Sequence, residues 1–164
     1  MKAIWIIRHH TEPRQKCSLT PLENRKDLKF YSDRQIEKLK FDGKVILHPD
    51  GEPLSIKDKN KQIVLIDSYW RKAYAMYNRI TVNQKAKVEL RSINGWKTAY
   101  ARKSKFGKDP INGLASAECL FVVKLIFGKY DESFLDNYYW KKQFLEQNKE
   151  AIETIKNGIA QSSD

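Results

Sequence analysis

The amino-acid sequence predicts an α/β fold, and three observations carry that reading. Short apolar runs rich in β-branched residues alternate with stretches of helical spacing. One run, "QIVLID", is continuously apolar, the pattern of a strand covered on both faces in a parallel sheet. The chain has 164 residues, 41% hydrophobic and 12% aromatic, enough to bury one compact core or the cores of two small lobes.

The elements follow in order. "KAIWIIRHH" is a short apolar run bounded by charge and reads as a first buried strand. "SDRQIEKLK" has helical spacing. "VILHPDGEP" reads as a second strand, stopped by Pro49 and the Asp50-Gly51 turn. "QIVLID" is the third. A helix follows, because Trp70, Ala73, Tyr74 and Tyr77 recur at i, i+3, i+4 and i+7 on one face. "KVELRSI" reads as a fourth strand. After "GLASAE", the run "CLFVVKLIFG" is too apolar for a surface helix and predicts a buried one, ended by Gly128. The remainder from "DESFLDNYYW" is a polar-faced helical pair, and "QSSD" is a fraying end. The chain shows no internal repeat and no low-complexity linker.

Charge restricts the partners. Thirty-one Lys and Arg against 20 Asp and Glu give +11, with an isoelectric point near 9.6. That balance favours a polyanion, RNA or DNA before a membrane, over a merely soluble basic protein. "WKTAYARKSKFGK" interleaves Trp96, Tyr100 and Phe106 with Lys97, Arg102, Lys103, Lys105 and Lys108, which suits phosphate neutralisation with stacking on an unpaired base. "PRQKCS", with Arg14 and Lys16, offers a second anchor. The competing reading of both is a solvated loop. Cys17 and Cys119 lie far apart with no CxxC spacing, which points to a reducing compartment and no structural zinc. The apolar part of "MKAIWIIRHH" is too short for a signal peptide and no run approaches a membrane span, so a cytoplasmic protein is expected. His9 and His10 have no carboxylate spaced as a third ligand, and no metal is expected.

Asp67 ends "QIVLID", and Trp70 follows three residues later. In open α/β sheets ligands lie beyond the carboxyl ends of the strands, which would set both residues in a pocket wall. The alternative is that Asp67 N-caps a helix beginning near Tyr69, with Trp70 packed beneath.

Four segments then share an order with one superfamily. "DSYWRKA" resembles the D-x-x-W-x-x-A signature of the aminocarboxypropyltransferases, which unite the DTW-domain tRNA enzymes with the small-subunit ribosomal RNA enzymes. "GLASAECL" is similar to their L-S-T-x-E-A segment, where Leu114, Ser116 and Glu118 match and Cys119 replaces alanine. "VILHPDGEPLSIKD" and "PRQKCSLTPL" resemble the ribosomal RNA branch's I-L-L-D-P...P-L-S-x-x-D and P-K-K-C-T-G-x-K-L. "FLDNYYWKKQFLEQN" looks like the family's ending, so the resemblance runs over roughly residues 10 to 150. Where the ribosomal RNA branch has A-A-N-P-V-N-Y-G, this chain has "YARKSKFG", which is more basic and closer to the tRNA branch's Y-x-L-R-K.

The resemblance implies a SPOUT-like fold with a C-terminal trefoil knot: a small N-terminal α/β lobe over residues 1–60 and a knotted cofactor-binding region over 61–160. It implies S-adenosylmethionine as cofactor and transfer of the 3-amino-3-carboxypropyl group to a pyrimidine N3, with small-subunit rRNA favoured over tRNA. It places the adenine against Leu47, Pro49, Trp70, Ala73 and Leu114, the ribose at the Ile66 backbone, and Ser18 near the methionine moiety. Ser116 joins the cofactor site, and Asp67 meets the amino group or sulfonium, with a general-base role as the second possibility. RNA contacts are expected from Arg14, Lys16, Lys97, Arg102, Lys103, Lys105 and Phe106. A monomer is expected. A tRNA-uridine aminocarboxypropyltransferase, a SPOUT-class RNA methyltransferase and a non-catalytic RNA-binding protein are the alternatives. Glu118 either orients the cofactor loop or caps the helix after Gly113.

Overall fold

The computed structural model describes residues 1–100 and 113–161. Among these residues the architecture is α/β, built on one five-stranded sheet in the order β2-β1-β4-β3-β5 with every pairing parallel. The strands are β1 (Ile4–Arg8), β2 (Leu28–Ser32), β3 (Val45–Pro53), β4 (Ile63–Asp67) and β5 (Glu89–Ser92). The helices are α1 (Trp70–Asn78), α2 (Ser116–Ile126), α3 (Lys141–Gln147) and α4 (Lys149–Gln161). β1 and β4 are central and bury both faces. Ile4, Ile6, Ile63 and Leu65 enter the main core with α2, while Ile7 and Val64 enter a second core with Ile36, Met76 and Ile80. This two-sided burial explains the absence of polar alternation in "IVLID". The same sheet takes strands from both sides of residue 60.

Three elements depart from the sequence expectation. β2 was not anticipated: "LKFYS" is an edge strand of which Leu28 alone is fully buried, so its apolar signal is weak. Residues Asp33–Lys38 form a 3-10 rather than an α-helix. It is capped by Ser32, whose Oγ accepts from Arg34 N at 3.3 Å while Gln35 Oε1 accepts from Ser32 N at 2.9 Å. β3 does not stop at Pro49. Its register shifts there, where proline has no N–H to donate, and Leu47 and Glu52 both face Arg91 across the resulting bulge. Gly51 permits that crossing, because a Cβ at this position would lie 2.5 Å from Arg91 N. The buried helix is found as α2, and Gly128 ends it with φ of 85°.

α2 also carries a buried cation. Lys124 is fully buried, and its Nζ lies 2.7 Å from Asp27 Oδ2. Arg25 completes the network, donating to Asp27 Oδ1 at 2.9 Å and to Asp131 Oδ2 at 2.9 Å. Burial alone would raise the Asp27 carboxyl, but Arg25 and Lys124 outweigh it and hold the group well below the usual carboxylate range. A depressed carboxyl contributes stability above its unfolded value of about 3.8 that is lost as pH falls towards the folded value. Asp27→Asn is therefore expected to destabilise the protein by about 3 kcal/mol at neutral pH, since it strands the Lys124 charge. It should also flatten the acid limb of stability, which urea titrations at pH 7 and at successively lower pH will read.

Candidate functional site

β1 and β4 are neighbours in parallel, with Arg8 opposite Asp67 at their carboxyl ends. Two apolar strands thus end side by side in opposite charges, and Arg8 Nε donates to Asp67 Oδ2 at 3.0 Å. Asp67 Oδ1 accepts from Ser116 Oγ at 2.7 Å, which ties the end of β4 to the first residue of α2. Cys17 Sγ lies 3.9 Å from Asp67 Oδ2, bringing the neighbouring, half-buried Ser18 to the same corner. Burial first, and then the Asp67 charge, push the Cys17 thiol up, so it stays protonated. Asp67 does not cap α1: its N-cap residue is Tyr69, with no side-chain cap, and both carboxylate oxygens are engaged elsewhere.

Arg8 extends the network outward. Its Nη1 donates to Glu23 Oε1 at 2.7 Å, its guanidinium lies 4.9 Å from the Phe30 ring centroid, and Glu23 also pairs with exposed Arg14. Arg8 Nη2 is buried with no acceptor among the described residues. Sequence reasoning missed Arg8, Glu23 and the Cys17 thiol. The signal was present as a charge ending each of two apolar runs, "IWIIR" and "IVLID", but their pairing appears only once the strands are adjacent.

Beside this corner stands an aromatic wall. Trp70, half-buried at the start of α1, belongs to neither core cluster among the described residues. Its indole lies against Gly113, where an added Cβ would sit 2.6 Å from Trp70 Cζ2. The wall continues from Trp70 to Tyr74 at 6.0 Å, from Tyr74 to His48 at 5.7 Å and from His48 to Tyr77 at 4.7 Å between ring centroids. Burial pushes the His48 imidazole down, and its Nδ1 accepts from Asp50 N at 3.2 Å. Leu47 and Leu114 pack on the main core from the sheet and from the loop before α2. Pro49, in the β3 bulge, and Ala73, on α1, are half-buried, and Ile66 lies against the second core.

Glu118 holds the loops around the corner. It is fully buried, and its Oε1 accepts from Ala99 N and Tyr138 Oη at 2.8 Å each. Its Oε2 accepts from Thr98 Oγ1 and Ala115 N, also at 2.8 Å. The capping role expected of Glu118 is therefore present, and the same carboxylate clamps the β5–α2 connection and the approach to α3.

The expected RNA contacts fall in several places. Arg14 is exposed and paired with Glu23, while Lys97 is exposed with its backbone N and O bonded to the Asn148 side chain at 2.8 Å each. Of Lys16 only the backbone is described. Arg102, Lys103, Lys105, Phe106 and Lys108 lie outside the described residues, as does most of "QSSD".

The structure also supplies the carboxylate that the "RHH" spacing lacked. Asp33, after β2, accepts from His10 N at 2.8 Å, contacts His10 Nδ1 at 3.1 Å and lies 3.7 Å from His9 Nε2. These three residues are grouped closely enough to hold a cation. Two cations already stand on the group: Arg79 Nη1 is 3.7 Å from Asp33 Oδ2, and the Lys72 charge acts on His9. Burial, more than the Lys72 charge, pushes the His9 imidazole down.

Among the described residues, no helix is long and apolar enough to cross a membrane. No family model matches the chain, and no curated protein matches it. The fold is similar to that of the SAM-dependent rRNA:acp-transferase Tsr3 from Vulcanisaeta distributa, with a TM-score of 0.71 over 96% of this chain and 84% of that one, at 21% identity. At that identity the likeness establishes the fold, an α/β architecture shared over nearly the whole chain.

Proposed function

We propose that this protein is an S-adenosylmethionine-dependent RNA aminocarboxypropyltransferase that modifies a pyrimidine N3 of small-subunit rRNA. The observation that carries the reading is the corner at the carboxyl ends of β1 and β4. There an anchored carboxylate, Asp67, stands beside a half-buried indole, Trp70, in a chain whose fold is that of a solved transferase of this kind.

The residues fit the cofactor. A buried carboxylate suits a cationic sulfonium or ammonium, and the unsatisfied Arg8 Nη2 beside it suits a carboxylate, so the pair complements a zwitterionic amino-acid end. In this reading Trp70, Leu47, Pro49, Ala73 and Leu114 hold the adenine, the Ile66 backbone holds the ribose, and Ser18 and Ser116 border the amino-acid end. When bound, S-adenosylmethionine supplies three electrophilic carbons around one sulfur. The protein's work is to present one of them to the attacking nitrogen and wall off the others. Asp67 is best read as a binding and orienting group, because both its oxygens already accept from Arg8 and Ser116. Arg14, Lys16, Lys97, Arg102, Lys103, Lys105 and Phe106 are assigned to the RNA.

The finer fold belongs to this proposal as well: a SPOUT-like trefoil knot within residues 61–160, preceded by residues 1–60 that share its sheet, in a monomeric cytoplasmic protein. The all-parallel sheet and the shared fold support the SPOUT-like part of it. The test is the spent cofactor. Incubation with S-adenosylmethionine and RNA should release methylthioadenosine, read by chromatography. Release of S-adenosylhomocysteine instead would replace the proposal with a methyltransferase.

A further inference from the structure

Tyr139 is 88% exposed, the most exposed large apolar side chain among the described residues. A ring displayed in this way adds little to folding, and what makes it informative is that it does not stand alone. It stands 5.0 Å from the Trp140 indole at an interplanar angle of 79°. Tyr100, from the β5–α2 connection and 38% exposed, meets the same indole at 5.2 Å and 81°. Three rings from two distant stretches of chain therefore form one solvent-facing corner.

The corner is held rigidly. Trp140 packs on the main core and is the N-cap residue of α3. Tyr138, immediately before Tyr139, is buried and donates its hydroxyl to Glu118 Oε1 at 2.8 Å. The same carboxylate accepts from Ala115 N, next to the Ser116 whose hydroxyl binds Asp67. The aromatic corner is thus joined to the candidate cofactor corner through a single buried side chain.

We propose that the Tyr100–Trp140–Tyr139 corner is a stacking platform for an unpaired nucleobase of RNA, seated beside the transfer site. Charge selects the occupant. The chain carries +11, Lys97 lies exposed three residues before Tyr100, Glu118 is fully buried beneath Tyr138, and Glu132 and Asp136, which precede Tyr139 along the chain, are paired with Lys141. Aromatic faces in a basic setting bind single strands by stacking and bind duplexes poorly, because duplex bases are already stacked. The proposal rests on RNA being the substrate, and its test separates the two.

Binding of a fluorescein-labelled single-stranded oligouridine, about 12 nucleotides long, is followed by anisotropy over a salt series. Tyr139→Ala is expected to weaken it roughly tenfold with an unchanged salt slope, since stacking releases no counterions. Tyr139→Phe should bind as the parent does, and affinity for a duplex RNA of equal length should not change. Equal oligouridine affinity in Tyr139→Ala would overturn the platform. So would an equal loss in Tyr139→Phe, which would mean a hydroxyl contact, or an equal loss on duplex. If Tyr139→Ala loses affinity while the parent transfers no aminocarboxypropyl group, the platform stands and the transferase reading falls. Transfer by the parent with unchanged Tyr139→Ala affinity gives the reverse.

Discussion

Glu118→Ala is expected to cost about 4 kcal/mol of stability, a drop of about 10 °C in the melting temperature for a chain of this size. The reason is the number of donors that meet one fully buried carboxylate. Removing it leaves Ala99 N, Ala115 N, Thr98 Oγ1 and Tyr138 Oη without their acceptor, and it opens a cavity under α2. Ala99 and Tyr138 are themselves buried, so water does not readily replace the carboxylate. Glu118→Gln keeps the shape but turns one accepting atom into a donor that faces other donors. It should cost about half as much. Urea or thermal unfolding reads both variants, and a loss below about 1 kcal/mol for the alanine variant would show that Glu118 does not hold these loops together. Binding of the cofactor should weaken in parallel, because Ala115 adjoins the Ser116 that orients Asp67.

Trp70→Ala is expected to weaken S-adenosylmethionine binding about 100-fold, or about 2.7 kcal/mol, while leaving the fold intact. Among the described residues the indole belongs to neither core, so its loss opens no cavity in either of them. Gly113→Ala supplies a second route to the same ring. Its Cβ would lie 2.6 Å from Trp70 Cζ2, so the indole must move, and affinity should fall by about tenfold with Trp70 still present. Calorimetric titration with circular dichroism as the folding control reads both. Unchanged affinity in the two variants would remove Trp70 from the cofactor site.

How much of this was legible in the sequence varies by element. β1, β4 and α2 were plain, because strands and helices buried all round must be apolar all round. β2 was hidden because an edge strand keeps polar residues, and the β3 bulge because Pro49 and Gly51 read as an end when they mark a change of register. At the site, Asp67 and Trp70 stood out from their place after an apolar run. Their surroundings did not. Arg8 meets Asp67 only because β1 and β4 are adjacent, and Asp33 reaches His10 only through the pairing of β1 with β2. Glu118 gathers donors from as far away as Thr98 and Tyr138, a convergence that spacing along the chain does not encode.

The central claim is that an aminocarboxypropyl group passes from S-adenosylmethionine to RNA on this protein. The most direct measurement supplies the cofactor labelled either in the carboxyl carbon or in the methyl, with small-subunit rRNA and tRNA in separate reactions. The account predicts carboxyl label in the small-subunit rRNA and no methyl label in either RNA. Carboxyl label in tRNA alone would contradict the substrate, and methyl label alone, or no label in either RNA, would contradict the reaction itself.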